Sequence, residues 1–484
     1  MKLKDLLSGI NYTCITGNTE QEIDQVIYDS RIKTKKGLFI AIEGYQTDGH
    51  KYIEPAIENG ACVVLVQKPI YIEAKDVTII QTDDTRLAMA KIANNQYQHP
   101  SSNFKLVGVT GTNGKTSITF LLGQILEAYK QKVGIIGTIE NRIGNQVLKA
   151  ERTTPESLDL QRLFRKMADE KVDTAMMEVS SHALELKRTV GSEFKVGIFT
   201  NLTQDHLDFH KSMENYANDK AKLFKCCEVG IVNRDSEYTQ LITEGATCKL
   251  VTYGIDHEAD YHAKNIQITA AGVTYTLNTP EGEFEVCVPI PGKFTVYNTL
   301  AVIAAARQLE IPMEHILKAL TEVAGVPGRV QSFTSQKGYS VLVDYAHTPD
   351  GLENVLETIK EFVKGRIITV FGCGGDRDAT KRPIMGRIAA QYSDHVIITS
   401  DNPRTEDPFK ILDQVEVGVK EFAKNYDKVE DRESAIKMAL QEAKAEDVVL
   451  IAGKGHENYQ ILKDRIIHFD DCEVVRNYLQ EEQK

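Results

Sequence analysis

Short continuous apolar runs recur along this chain and alternate with stretches whose apolar residues return at helical spacing. Residues 104–109, 132–136, 172–177 and 196–199 are such runs, and so are 340–345, 367–372, 394–399 and 448–452. A run without polar alternation predicts a strand covered on both faces. Helical patterns between such strands predict parallel pairing through crossover helices. Residues 37–42 and 61–66 add a smaller α/β region at the N-terminus. From 253 to 289 the pattern changes to alternation. Residues 272–277, a Thr279-Pro280-Glu281-Gly282 turn and residues 284–288 predict an antiparallel hairpin inserted on the central domain. An alanine-rich helix is expected over 299–308.

Two stretches have linker chemistry, His99-Pro100-Ser101-Ser102-Asn103 and Gly325-Val326-Pro327-Gly328-Arg329. They divide the chain into three expected domains, 1–100, 101–328 and 329–484, which suits its 484 residues. The expected fold class is α/β, with a central parallel sheet and a C-terminal doubly wound sheet.

Composition narrows the function classes. The net charge of −12 argues against general nucleic-acid affinity. An anionic substrate must then be met by local arginines and lysines. Residues 1–5 lead into no apolar core of signal-peptide length, and no apolar run approaches the span of a bilayer. The eight cysteines include no Cys-x-x-Cys pair, so buried thiols in a reducing cytoplasm are expected.

The densest chemistry lies at Val109-Thr110-Gly111-Thr112-Asn113-Gly114-Lys115-Thr116-Ser117, between a strand and a helix. Such a turn aims backbone N–H groups and a helix N-terminus at a phosphate. Lys115 adds a charge for the outer phosphates, and the Thr116 hydroxyl can ligate Mg²⁺. Val109 stands where the usual P-loop has its first glycine. A nucleoside triphosphate is the expected ligand. Ligands of open α/β sheets sit beyond the carboxyl ends of the strands, so the residues that follow the other central strands matter. Glu178 follows one strand and can hold Mg²⁺. The segment Asn201 to His210, with His206, follows another. Thr153-Thr154-Pro155 can cap a helix or touch a ligand, and Asp29-Ser30-Arg31 is either a plain turn or a phosphate or uracil contact.

In the last third, four strands each end in a polar cluster: Ala346-His347-Thr348-Pro349 after the run 340–345, Cys373-Gly374-Gly375-Asp376-Arg377-Asp378, Ser400-Asp401-Asn402-Pro403-Arg404, and Gly453-Lys454-Gly455-His456-Glu457. Any one is explained as a turn or a cap. Four on successive strands predict a binding rim.

Gly111-Thr112-Asn113-Gly114-Lys115-Thr116, Asp344-Tyr345-Ala346-His347 and Gly453-Lys454-Gly455-His456-Glu457, in this order along the whole chain, resemble the Mur ligases, ATP-dependent amide ligases of bacterial cell-wall precursor synthesis. Asp401-Asn402-Pro403-Arg404 resembles the motif of the members that add meso-diaminopimelate to UDP-N-acetylmuramoyl-L-alanyl-D-glutamate. The resemblance implies that ATP phosphorylates the D-glutamate side-chain carboxylate and that an amine of diaminopimelate displaces phosphate from the acyl phosphate. It implies ATP contacts at Gly111 to Ser117, Asn298, Arg329 and Asp344, and Mg²⁺ held by Thr116, Glu178 and His206. It also implies a carbamylated lysine at Lys220, which the residues alone read as a helix-surface lysine. Nucleotide-sugar contacts are implied at Ser30, Thr153, Thr154, Ser180 and Arg188, with Leu186 where some relatives carry glutamine. A diaminopimelate site is implied at Arg377, Asp401, Asn402, Pro403, Arg404, Gly453 and Glu457. There, arginines fork onto a carboxylate and Glu457 takes an ammonium. A cytoplasmic monomer that binds neither nucleic acid nor membrane is expected. Lysine addition, folate-type ligation and a P-loop switch without ligase chemistry are the competing readings. Arg404 disfavours the first, the Asp29-Ser30-Arg31 domain the second, and the four strand-end clusters the third.

Overall fold

The computed structural model describes residues 1–482 except 45–46, 71–75, 204, 206, 324, 327–329, 424 and 456, and except the side chains of Leu207 and Asp208. The chain divides into two compact units, Met1–Thr252 with Ala304–Ile311, and Tyr253–Ile303 with Pro312–Lys484.

The first unit holds two sheets. Strands β1 (Thr13–Thr16), β2 (Gln25–Ile27), β3 (Gly37–Ile40), β4 (Ala61–Val66) and β5 (Thr78–Gln81) pair in the order β1-β5-β4-β3-β2. All pairs are parallel except β1 with β5. Its two faces feed two apolar clusters, one around Leu38, Leu65 and Ile92, the other around Phe39, Val64 and Ile53.

The second sheet follows from the apolar runs. β6 (Lys105–Thr110), β7 (Val133–Ile136), β8 (Asn141–Ile143), β9 (Gln146–Leu148), β10 (Thr174–Glu178), β11 (Phe194–Phe199) and β12 (Cys227–Asn233) run in the order β12-β11-β6-β10-β7-β8-β9. β12, β11, β6, β10 and β7 are parallel. β8 and β9 form an antiparallel extension that the pattern did not announce, being only three residues each. Every residue of β10 is buried, as a strand covered on both faces requires. The two sheets meet through side chains: Tyr28 donates to Asp159 at 2.5 Å, Lys187 pairs with Asp84, and Arg86 pairs with Glu156 at 3.4 Å.

β13 (Lys249–Gly254) carries the chain from the first unit into the second, where its end pairs in parallel with β14 (Tyr261–Thr269). β15 (Gly272–Thr279) and β16 (Gly282–Val288) form the expected hairpin, with the turn at the expected place. The helix Lys293–Gln308 follows. β17 (Gln331–Thr334), β18 (Ser340–Asp344), β19 (Ile367–Phe371), β20 (His395–Ile398), β21 (Tyr426–Lys428) and β22 (Val448–Ala452) then form a sheet in the order β17-β18-β22-β19-β20-β21. It is parallel apart from β17 and has an apolar cluster on each face, so the doubly wound expectation holds. β23 (Tyr459–Ile461) and β24 (Ile466–His468) make a separate ribbon.

All eight cysteines are free thiols, but Cys14, Cys226 and Cys287 are exposed, against the expectation that the thiols are buried. Cys14 lies on β1, an edge strand with no buried residue. Cys287 lies on the outward phase of β16. Among the described residues no helix is long and apolar enough to cross a membrane.

Candidate functional site

The glycine-rich turn leaves β6 and enters the helix Lys115–Ala128 through Gly114 in the left-handed region, φ 86°. Gly111 also has positive φ, and a Cβ there would collide with Thr200 Oγ1 and press on the Asn201 carbonyl. A side chain is therefore excluded where the loop lies against the end of β11. Thr200 Oγ1 donates to the Asn113 carbonyl at 2.6 Å, and the Asn113 N–H donates to Asn201 Oδ1 at 3.0 Å. The loop is thus held by residues following β11, the neighbour of β6 in the sheet. Lys115 Nζ donates to the Gly111 and Thr112 carbonyls at 2.9 and 2.8 Å.

On the other side of β6, β10 ends at Glu178, which is 1% exposed. Its Oε1 accepts from Thr116 Oγ1 at 3.0 Å and from the Thr138 N–H at 2.9 Å, and its Oε2 accepts from Thr138 Oγ1 at 2.9 Å. A buried carboxylate met by hydroxyl and amide donors rather than by a cation, beside a P-loop threonine, is a hard-oxygen pair suited to Mg²⁺. Among the described residues no cluster of three or more His, Cys, Asp or Glu side chains forms a self-contained metal site. The expected contacts His206 and Arg329 lie outside the described residues.

Lys220 corrects the surface reading: it is buried, 1% exposed, on the helix Met213–Ala221. Its Nζ donates to the Gly111 carbonyl at 2.9 Å and lies 4.6 Å from the Tyr216 ring centre. Burial, and then the nearby Lys115 charge, push its pKa well below the usual lysine value. Helical spacing placed this residue on a helix but could not say which face the P-loop would cover. Its helix is held by a buried chain invisible in the sequence: Asp219 Oδ2 lies 2.8 Å from His210 Nδ1, and His210 Nε2 lies 2.9 Å from Ser181 Oγ.

Thr154, Ser180 and Arg188 lie together. Thr154 Oγ1 donates to the Glu178 carbonyl at 2.8 Å and accepts from the Ser180 N–H at 3.1 Å, and Arg188 donates to the Thr154 carbonyl at 3.1 Å. Thr153 Oγ1 lies 3.0 Å from Thr138 Oγ1. Arg188 pairs with the buried Glu156 at 2.8 Å, and Arg152 and Arg86 reach the same carboxylate at 3.1 and 3.4 Å. Burial pulls the Arg188 guanidinium below its usual pKa, and Glu156 opposes that. Glu156, Arg86 and Arg152 were not singled out from the sequence. Ser30 stands apart from this group of contacts, its carbonyl accepting from Asn59 Nδ2 at 2.8 Å beside an Asp29–Arg31 pair.

In the second unit β18, β22, β19 and β20 are consecutive parallel neighbours, so all four polar clusters leave the same edge of the sheet. The Asp344 carboxylate accepts from the Val330 and Ala346 N–H groups at 2.8 and 2.7 Å, and Asn298 is buried on Lys293–Gln308. Asn402 Nδ2 donates to Glu457 Oε2 at 2.8 Å, and Asn402 Oδ1 accepts from the Ile461 N–H at 2.9 Å. Asp401 Oδ1 accepts from the Asn402 N–H at 2.6 Å. Arg404, next after Pro403, has φ 53°, strained for a side-chain-bearing residue, and its guanidinium donates to the Gly375 carbonyl at 2.8 Å. Both arginines of the rim pass close to Gly374: a Cβ there would stand 2.8 Å from Arg404 Nη1 and 3.9 Å from Arg377 Cγ. Arg382, fully buried, fixes both loops by forking onto Glu406 at 2.8 and 2.9 Å while donating to the Gly374 carbonyl at 3.1 Å. The Arg382 hydrogen bonds pull the Glu406 carboxyl down to about 2. Burial raises the Tyr459 pKa, Glu457 and Asp401 add to that and Arg404 opposes it, so these charges share one neighbourhood.

The chain matches three family models: Mur ligase family, catalytic domain, over residues 22–97; Mur ligase middle domain over 109–306; and Mur ligase, glutamate ligase domain, over 328–455. It is 50% identical over 486 aligned residues to the UDP-N-acetylmuramoyl-L-alanyl-D-glutamate–2,6-diaminopimelate ligase of Alkaliphilus metalliredigens, covering 100% of this chain and 98% of the relative. It is also 50% identical to the enzyme of that name from Clostridioides difficile, covering 99% of each. A solved structure of a ligase with this name superposes with a TM-score of 0.75 at 32% identity, covering 100% of this chain and 99% of the other.

Proposed function

Because the chain belongs to the Mur ligase family of ATP-dependent ligases, we propose that it joins meso-2,6-diaminopimelate to the D-glutamate side-chain carboxylate of UDP-N-acetylmuramoyl-L-alanyl-D-glutamate, with ADP and phosphate as products, in peptidoglycan precursor synthesis. The observation that carries this choice of amino acid is the placing of Arg404 and Arg377, neither paired with a carboxylate among the described residues, on the sheet edge that also carries Asn402 and Glu457. An amino acid with a second zwitterionic head offers a carboxylate to the guanidiniums and an ammonium to Glu457, and lysine offers only the ammonium.

The chain's residues divide the work. The amides from Gly111 to Ser117 and Lys115 bind the triphosphate, and Asn298, Arg329 and Asp344 complete the ATP contacts. Thr116, Glu178, His206 and a carbamylated Lys220 would hold Mg²⁺, which supplies charge neutralisation to the transferring phosphoryl group. Lys220 suits that modification, because a buried lysine with a depressed pKa presents the neutral amine that adds to CO₂ with loss of a proton. Ser30, Thr153, Thr154, Ser180 and Arg188 hold the nucleotide-sugar peptide. The D-glutamate carboxylate oxygen attacks the γ-phosphorus and ADP leaves. The diaminopimelate amine then attacks the acyl carbon, loses a proton and expels phosphate. Residues 1–100, 101–328 and 329–484 act as the sugar-nucleotide, ATP and amino-acid modules of a cytoplasmic monomer.

Phosphate release measured with ATP and Mg²⁺ tests the proposal. Release that requires both the UDP-muramoyl dipeptide and diaminopimelate is expected. Steady hydrolysis indifferent to either would place the chain among P-loop switches.

A further inference from the structure

Lys454 is a buried charge that the proposed reaction leaves without a role. Its side chain is 0% exposed, and Nζ lies 3.2 Å from Glu457 Oε2, 3.3 Å from Asn402 Oδ1 and 5.6 Å from the Tyr459 ring centre. Asn402 Nδ2 donates to the same Glu457 Oε2 at 2.8 Å. Two donors therefore converge on one oxygen of Glu457, and among the described residues none meets Oε1.

Resting on the proposed function, we propose that Lys454 determines specificity in the amino-acid site by cancelling the charge of Glu457. A carboxylate already compensated at 3.2 Å still accepts a hydrogen bond from an ammonium through Oε1 but exerts little net pull on a lone cation. Arg404 and Arg377 are in the opposite state. Their guanidiniums donate to the carbonyls of Gly375, Asn402 and Asp376, and among the described residues neither is paired with a carboxylate. The cradle therefore attracts a carboxylate first and accepts an ammonium only alongside it. A zwitterionic head fits this order and a bare lysine tail does not. Lys454 also sets the rotamers of Asn402 and Glu457, but a purely structural brace would lower the use of every amino acid alike.

The test uses the full-length protein and Lys454→Met, with ATP and the UDP-muramoyl dipeptide, comparing kcat/KM for diaminopimelate and lysine. The expected result is a fall of about tenfold in the diaminopimelate-to-lysine ratio, arising through a gain in lysine use once the buried cation no longer opposes it. An unchanged ratio, or an equal loss for both, overturns the inference. If the variant does not fold, the wild type decides by competition against diaminopimelate. Lysine and its uncharged isostere norleucine should inhibit within about threefold of one another, and lysine binding about tenfold tighter would show an uncompensated Glu457. A wild type that turns over neither amino acid refutes the proposed function itself, and is told apart from failure of the Lys454 role by that control.

Discussion

Glu156→Gln is a sharp test of how the first unit holds Arg188, one of the proposed nucleotide-sugar contacts. The Glu156 side chain is 7% exposed and faces Arg188, itself 10% exposed, at 2.8 Å, with Arg152 and Arg86 at 3.1 and 3.4 Å. Removing one partner of a buried pair costs about 3–5 kcal/mol, because the other charge stays buried without compensation. Glutamine keeps one carbonyl oxygen for Arg188, and such a hydrogen bond recovers about 1 kcal/mol. A net loss of about 2–4 kcal/mol remains, which for a unit of this size lowers the melting midpoint by roughly 4–16 °C. Asp169→Asn, at a pair whose carboxylate is 65% exposed, should leave the midpoint within about 1 °C. Calorimetry of the two variants beside wild type gives the comparison. Steady-state kinetics should show KM for the UDP-muramoyl dipeptide raised about tenfold, with KM for diaminopimelate unchanged, because Arg188 loses the carboxylate that aims it. A Glu156→Gln protein as stable as Asp169→Asn, or one whose two KM values rise together, would show that Glu156 does not hold Arg188 in place.

Arg404→Ala removes a charged donor from the amino-acid rim and should lower kcat/KM for diaminopimelate by about a hundredfold while the ATP dissociation constant changes less than about threefold, measured by calorimetric titration. Equal losses for both ligands would contradict the role given to Arg404. Lys220 should carry the mass of one CO₂ in native mass spectrometry under bicarbonate, and Lys220→Met should lack it. An unmodified active enzyme would remove the carbamate from the account. Glu406 gives a pH signature. Its folded pKa of about 2 lies below the unfolded carboxylate value, so its stabilising contribution is present above about 4.5 and is lost as pH falls towards 2. Midpoints of wild type and Glu406→Gln should converge through that window, and a pH-independent difference would show that the Arg382 pairing is not its source.

The parallel sheets were legible because buried strands announce themselves by composition alone. The run 61–66 is β4 and the run 448–452 is β22, residue for residue. The hairpin was legible for the opposite reason, its alternation matching the one-sided burial of β16. The convergence of four polar clusters followed from strand type, since parallel neighbours end on one edge. Partners across space were not legible. Nothing in the pattern around Lys220 tells that the P-loop covers it, or that His210 bridges Asp219 to Ser181. The fully buried Arg432–Asp471 pair, 2.7 Å apart, reads in sequence as two ordinary surface charges at a helix start. Charges become buried only through long-range packing, which periodicity does not encode.

We assign the triphosphate loop around Lys115 and the arginine rim around Arg404 to one reaction. Its most direct measurement is the product mass from ATP, Mg²⁺ and UDP-N-acetylmuramoyl-L-alanyl-D-glutamate with a panel of amino acids. One new product is expected, heavier by diaminopimelate less one water, formed with stoichiometric ADP. A product carrying lysine instead, or ADP formed with no adduct at all, would contradict that assignment.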